Sequence, residues 1–437
     1  MYFELKNIGA IKHAKIELGK LTVICGKNNT GKTYINYTLY GFLNHLREKK
    51  SRQLFKSINK EKLNAETGII TIDLKETEKE LKQVHTQLTQ LYAEKLEEIF
   101  SANAHEFTLA EFHLSTEQME IDYSNSFERR THQYDAIKEE NNQILEINLK
   151  SRIQSQRLID LIIEEILFEF FFTKNYPRPF ILSAERTGIQ LFQKELDRTR
   201  SDLITALREN RNLALLEEKI DRFALPIEKN LSFTRNTDIT KFNSFLTQEQ
   251  TTYIEDMLGV QYEIIDGRRL VIDKTTHQSL PHYMSSTSVR ALFDLHIWLK
   301  HQASIGDILF IDEPELNLHP ENQLKIARLL VRLIHSGIYV FLTTHSDYII
   351  KELNNLLMLA NDFPDKDAIM KEFGYTPDDI LPEEDFKGYI ANPDGTISHI
   401  DIDEYGMIQS GFDDAIVQIN ESSDKIAYAI NNRYEIT

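Results

Sequence analysis

The stretch LTVICGKNNTGKTYINY, residues 21–37, joins a five-residue apolar run, a loop holding two glycines and the start of a helical segment. Strand, glycine loop, helix is the order that a phosphate-binding loop requires. Gly26 to Thr33 fits G-x-x-x-x-G-K-[ST] completely, with Lys27, Asn28, Asn29 and Thr30 as the intervening residues. Gly26 and Gly31 let the backbone turn tightly, so that successive N–H groups converge on a phosphate. Lys32 adds a point charge for the β- and γ-phosphates, and Thr33 offers a hydroxyl to Mg²⁺. The helix that follows presents its N-terminus to the anion. ATP and Mg²⁺ are therefore the expected ligands, with Gly26–Thr33 as their cradle. Cys25, the single cysteine, abuts the loop and reads as a buried structural thiol.

A second stretch, DILFIDEPELNLHP (307–320), narrows the chemistry. Its apolar run has the composition of a strand buried on both faces. Such a strand ends at the edge of an open α/β sheet where ligands bind. Asp312 at that edge is placed to hold Mg²⁺. Glu313, one residue on, points elsewhere and can orient or deprotonate an attacking water.

Strands and helices alternate along most of the chain, which predicts an α/β fold with a mixed, largely parallel sheet. The first 25 residues read as three short strands. GIITIDL (68–74) reads as a strand and 76–101 as a charged helix with apolar positions at helical spacing. The polar stretch 121–143 shows little pattern, and 153–173 reads as an apolar helix. The expectation for 51–175 is a mainly helical insertion packing on itself. RPFILSAERTGI (178–189) returns to strand character, QYEIIDGRRLVID (261–273) reads as a hairpin turning at Asp-Gly, and 285–301 as a serine-capped helix. IYVFLTTHSD (338–347) is a further buried strand, 387–403 a hairpin, and a helix is expected near 413–432. The division expected is 1–50 and 176–360 for one head, 51–175 for the insertion, and 361–437 for a small acidic α+β region.

The net charge is −18, with 41% hydrophobic and 10% aromatic residues, enough apolar content for a packed interior. Residues 361–437 hold 18 acids and 5 bases, net −13, which leaves −5 for the other 360 residues. Basic stretches survive at 47–62 and 186–211, and these are candidate DNA contacts. The most apolar segment, LIDLIIEEILFEFFF (158–172), carries four acids, so no membrane span is expected. One cysteine and no apolar N-terminal leader point to a reducing, cytoplasmic setting.

Taken with LTTHSD (342–347) and YMSSTSVRALFDL (283–295), these motifs resemble an ABC-type ATPase head of the SMC, RecF and OLD group. The resemblance covers 1–45 and 176–350. It implies a Walker A loop at Gly26–Thr33, a Walker B strand at ILFIDEP, and His345 as the switch histidine. It places ELNLHP (315–320) at a dimer contact. Ser285 and Ser286 stand where a signature sequence would clasp the ATP of a partner subunit, although Thr287 replaces the usual glycine. LSAERT (182–187) is a candidate lobe junction, where Arg186 could touch phosphate, DNA or a neighbouring carboxylate. The resemblance implies a homodimer or higher homo-oligomer joined through the ATP sites. The stand-alone shape also resembles the ATPase subunits of anti-phage systems, the PtuA subunits of Septu and the AriA subunits of PARIS, which work with a separate nuclease or toxin. The expected function is an ATP-hydrolysing switch with Glu313, His345 and Lys32 as catalytic residues, slow, and not itself a nuclease. Two alternatives stand beside it: a RecF- or SMC-like DNA-repair ATPase that clamps DNA, and an ATP-bound scaffold that does not hydrolyse. A Q-loop glutamine is not identifiable.

Overall fold

The computed structural model describes residues 1–47, 63–64, 68–115, 126–150, 155–173, 176–192, 223–236, 243–407, 421–423 and 425–426. The basic stretch 48–62, the bases from Lys194 to Arg211 and most of the helix expected near 413–432 lie outside these residues.

Strands β1 (Tyr2–Ile8) and β2 (Ile11–Glu17) pair antiparallel. β3 (Leu21–Cys25) is buried throughout and runs into the glycine loop, after which α1 (Lys32–His45) begins. The next region holds β4 (Leu63–Asn64), β5 (Ile69–Asp73), helices α2 (Leu74–Ala93) and α3 (Leu96–Phe100), β6 (Glu111–Leu114), β7 (Phe127–Arg130), β8 (Tyr134–Lys138), β9 (Ile144–Leu149) and α4 (Gln156–Phe168). The Asp73 carboxylate caps α2 by accepting from the N–H groups of Lys75 and Glu76, at 2.9 and 3.2 Å.

Two features of this region differ from the expectation. It contains an antiparallel sheet in the order β4-β5-β9-β8-β7, and two of those strands lie in the stretch that showed little pattern. Such short half-buried strands hold from one to three apolar or aromatic residues, Phe127 in β7 and Tyr134, Ala136 and Ile137 in β8, too few for a period to stand out. Nor does the region pack only on itself. β6 pairs with β1, and Tyr92 of α2 donates from its hydroxyl to the Thr38 carbonyl of α1 at 2.5 Å. Phe42 of α1 packs against Tyr92 and Phe112, with ring centroids 5.3 and 4.8 Å apart.

The chain then enters β10 (Arg178–Leu182), α5 (Leu225–Arg235) and α6 (Gln248–Leu258). The hairpin of β11 (Val260–Ile265) and β12 (Arg268–Asp273) turns where expected, with Asp266 and Gly267 both at positive φ, 49° and 71°. β13 (Ser279–Pro281) extends this sheet and leads to α7 (Thr287–His301). β14 (Asp307–Asp312), α8 (Pro320–His335), β15 (Tyr339–Thr344), α9 (Asp347–Met358), α10 (Lys366–Phe373), β16 (Phe386–Ala391) and β17 (Ile397–His399) follow.

The central sheet has the order β10-β14-β15-β3-β16-β17. Every pair is parallel except β16 with β17, so the sheet is mixed and largely parallel as expected. Side-chain alternation divides its residues between two cores. Ile24, Phe310 and Phe341 join α1 and the inserted region, whereas Val23, Ile311 and Leu342 join α7, α8 and α9. The division at 360 does not hold: β16 lies beyond it yet pairs directly with β3, Ile390 opposite Cys25. Among the described residues no helix is long and apolar enough to cross a membrane.

Candidate nucleotide-binding site

Parallel register brings the residues singled out from sequence to one edge. Thr343 lies opposite Asp312, and Thr344 lies opposite Cys25, so β14, β15 and β3 all end there. Between β3 and α1 the loop needs its glycines. Gly26 and Gly31 have φ of 145° and 89°, regions that L side chains rarely adopt. Space is also short: a Cβ on Gly26 would lie 2.6 Å from the Ala391 carbonyl oxygen of β16, and one on Gly31 would lie 2.4 Å from Ile11 Cδ1. Asn29 also adopts positive φ, 62°, which asparagine tolerates. Lys27, Asn28 and Asn29 are exposed, while Thr30 is buried and donates to the Lys27 carbonyl at 2.8 Å. Lys32 reaches back into the loop, with Nζ 2.9 and 2.8 Å from the Gly26 and Lys27 carbonyls. Burial lowers the pKa of its ammonium, opposed by the carboxylates of Glu313 and Asp312. The Cys25 thiol donates to the Tyr389 carbonyl at 3.3 Å, and burial raises its pKa to about 12.

The loop and the carboxylate strand meet directly. Thr33 Oγ1 donates to Asp312 Oδ2 at 3.1 Å, and Thr343 Oγ1 donates to Asp312 Oδ1. Burial raises the Asp312 pKa to about 6, against the pull of the Thr343 hydroxyl. This pair of hard oxygen donors suits Mg²⁺, which takes few protein ligands and keeps several waters. Glu313 leaves the strand with φ of 50°, a left-handed conformation that costs a non-glycine residue about 1–2 kcal/mol. That turn sends its carboxylate toward His345, whose Nδ1 is 3.5 Å from Glu313 Oε1. The contact lowers the Glu313 pKa and raises that of His345.

Glu315 corrects one expectation. It is buried and faces inward, accepting from Thr344 Oγ1 at 2.9 Å and from the His345 N–H at 2.8 Å. Its carboxylate fixes the end of β15 instead of facing a partner. Gln323 ties the same loop to α9: it donates to the Leu318 carbonyl at 3.0 Å and accepts from Ser346 Oγ at 2.6 Å.

Arg186 corrects another. It is 1% exposed, which removes it from any DNA surface, and its hydrogen bonds go to main-chain carbonyls. The acceptors are Ser183, Ala291, Asp312 and Glu313. Ser285 and Ser286 make local bonds. Ser285 Oγ donates to the His282 carbonyl at 2.6 Å, and Ser286 caps α7 by accepting from the Val289 N–H at 3.4 Å. Thr343 and the Tyr37–Glu185 hydrogen bond of 3.0 Å border the site and escaped sequence reading. A tyrosine in a helix and a threonine ending a strand carry no pattern that sets them apart.

The fold resembles solved SMC heads weakly. An SMC head bound to the C-terminal winged-helix domain of ScpA is 13% identical, with TM-score 0.35, over 91% of this chain and 96% of that one. The Thermotoga maritima SMC head domain is 11% identical, TM-score 0.31, over 92% and 98%. The Pyrococcus furiosus SMC head with an extended coiled coil, bound to the C-terminal domain of ScpA, is 12% identical, TM-score 0.32, over 98% of each. No curated protein matches the chain. The model of the AAA ATPase domain family matches residues 1–350, which include the glycine loop, the carboxylate strand and His345, and the chain belongs to that family.

Proposed function

We propose that the chain is a Mg²⁺-dependent ATPase that acts as a switch, pairing with a second copy through its nucleotide sites. The observation that carries this is the Thr33–Asp312 hydrogen bond, which joins the glycine loop to the carboxylate strand at one sheet edge. Lys32 binds the β- and γ-phosphates, and Thr33 and Asp312 hold Mg²⁺, which when bound neutralises phosphate charge. Glu313 takes the proton of the attacking water. His345 orients Glu313 and meets the γ-phosphate side of the site. Ser285 and Ser286, at the N-terminus of α7, contact the ATP of the second copy.

Hydrolysis would then change what the pair presents to a separate effector, a nuclease or toxin, in a cytoplasmic anti-phage setting. Support for this last step is the resemblance to stand-alone defence ATPase subunits. The test is steady-state ATP hydrolysis by Glu313→Gln. The expected loss is about 10²-fold or more in kcat with ATP binding kept. Wild-type turnover in that variant would overturn the reading. Tight ATP binding with no turnover in the wild type would favour a scaffold instead.

A further inference from the structure

Glu313 raises a mechanical problem. A left-handed backbone at a non-glycine residue persists only where its surroundings impose it. On one side the Glu313 N–H donates to the Thr343 carbonyl at 3.0 Å. On the other, the Glu313 carbonyl accepts from Arg186 Nη2 at 2.7 Å. The same guanidinium donates through Nη1 to the Asp312 carbonyl at 2.7 Å and to the Ser183 carbonyl at 3.0 Å, and through Nε to the Ala291 carbonyl at 3.2 Å. One rigid planar group therefore spans the end of β10, the end of β14 and the first turns of α7.

A buried charge is costly to keep even with the carboxylates of Asp312, Glu315 and Glu313 near it, and its hydrogen bonds all go to neutral carbonyls that could be held more cheaply by other means. What the guanidinium offers is fixed geometry: its donors lie in one plane, so the carbonyls that accept from it cannot move independently. We infer that Arg186 is a positioning residue that sets the backbone of Glu313 for water activation and couples that setting to α7, the helix that opens with Ser285 and Ser286. Displacing α7 pulls the Ala291 carbonyl and tilts the guanidinium, and the tilt reaches Glu313 through one hydrogen bond. The inference rests on the proposed role of Glu313 as the base.

The experiment compares Arg186→Lys and Arg186→Gln with wild type, Glu313→Gln and the double variants. Both Arg186 substitutions keep donors but lose the planar fork. The expected result is a fall of about 10²-fold in kcat, the scale of a misplaced catalytic group, with the Kd for Mg·ATP, measured by calorimetry, within about threefold of wild type. In the Glu313→Gln background the Arg186 substitutions should lower kcat no further. An additive loss, a loss of ATP binding, or failure of both Arg186 variants to fold would assign Arg186 to the fold alone and overturn the inference. Full activity in Glu313→Gln would instead overturn the role of Glu313, a result that the Arg186 single variants cannot mimic.

Discussion

At the scale of single residues, the site separates charge by environment. Lys32 and Asp312 are both buried, and their roles predict different losses. Lys32→Ala removes the only side-chain cation of the glycine loop that bends inward, so the Kd for ATP should rise by about 10-fold or more, read by calorimetry. Asp312 is the pH-sensitive member. Burial lifts its carboxyl from the ordinary range to about 6, so below that pH a proton occupies the oxygens that the proposed Mg²⁺ site requires. Mg²⁺ affinity in the presence of ATP should fall about tenfold from pH 7 to pH 5 beyond the titration of ATP itself. In Asp312→Asn, which has no carboxyl to protonate, that extra dependence should vanish. The sign for folding is the reverse. A raised acid pKa favours the folded protein at low pH, and this contribution is lost as pH rises through about 6.

The two glycines of the loop, and Asp312 and Glu313 at the end of β14, stood out in the sequence because a strand–glycine loop–helix order and an apolar run ending in acids are patterns in themselves. Arg186 was legible as a residue of interest but not in its role. Charge alone suggested a ligand, and only the fold shows four carbonyls converging on it. Glu315 misled for a related reason. An acid beside two others reads as exposed, yet the end of β15 supplies the hydroxyl and the N–H that satisfy it indoors.

At the scale of elements, α1 is the hub. Its first turn follows the glycine loop, and its later turns take Tyr92 and Phe112 from the inserted region. Gly41 allows this approach, since a Cβ there would lie 2.6 Å from the Tyr92 hydroxyl oxygen. Tyr92→Phe should cost about 1 kcal/mol by deleting one buried hydrogen bond, and Tyr92→Ala about 3–5 kcal/mol, as read by denaturant unfolding. The central strands could be read from sequence because burial on both faces writes a continuous apolar run. Of the antiparallel sheet β4-β5-β9-β8-β7 only β5 could be read, as GIITIDL, because β7, β8 and β9 are short and only half-buried. The helix boundaries moved for a similar reason: α2 and α3 read as one helix, since charged faces hide the break between Ala93 and Leu96.

At the scale of the whole molecule, the proposed pairing makes a sharp complementation prediction. A pair with composite sites draws Lys32 from one copy and Ser286 from the other. Lys32→Ala and Ser286→Arg proteins should each be inactive alone. Mixed together, they should regain part of the wild-type ATPase rate, because a mixed pair contains one intact site. Mixtures that stay at the level of the separate variants would exclude shared sites.

The place of β16 bears on how the protein is made. The glycine loop at 26–33 is synthesised well before residues 339–344 and 386–391, the strands that give β3 its neighbours. Ala391 then closes over Gly26. During translation β3 must therefore wait for its sheet neighbours until residues far along the polypeptide have followed. A chain released early by a premature stop before residue 386 would lack the parallel neighbour of β3 on one side and the Ala391 carbonyl beside Gly26.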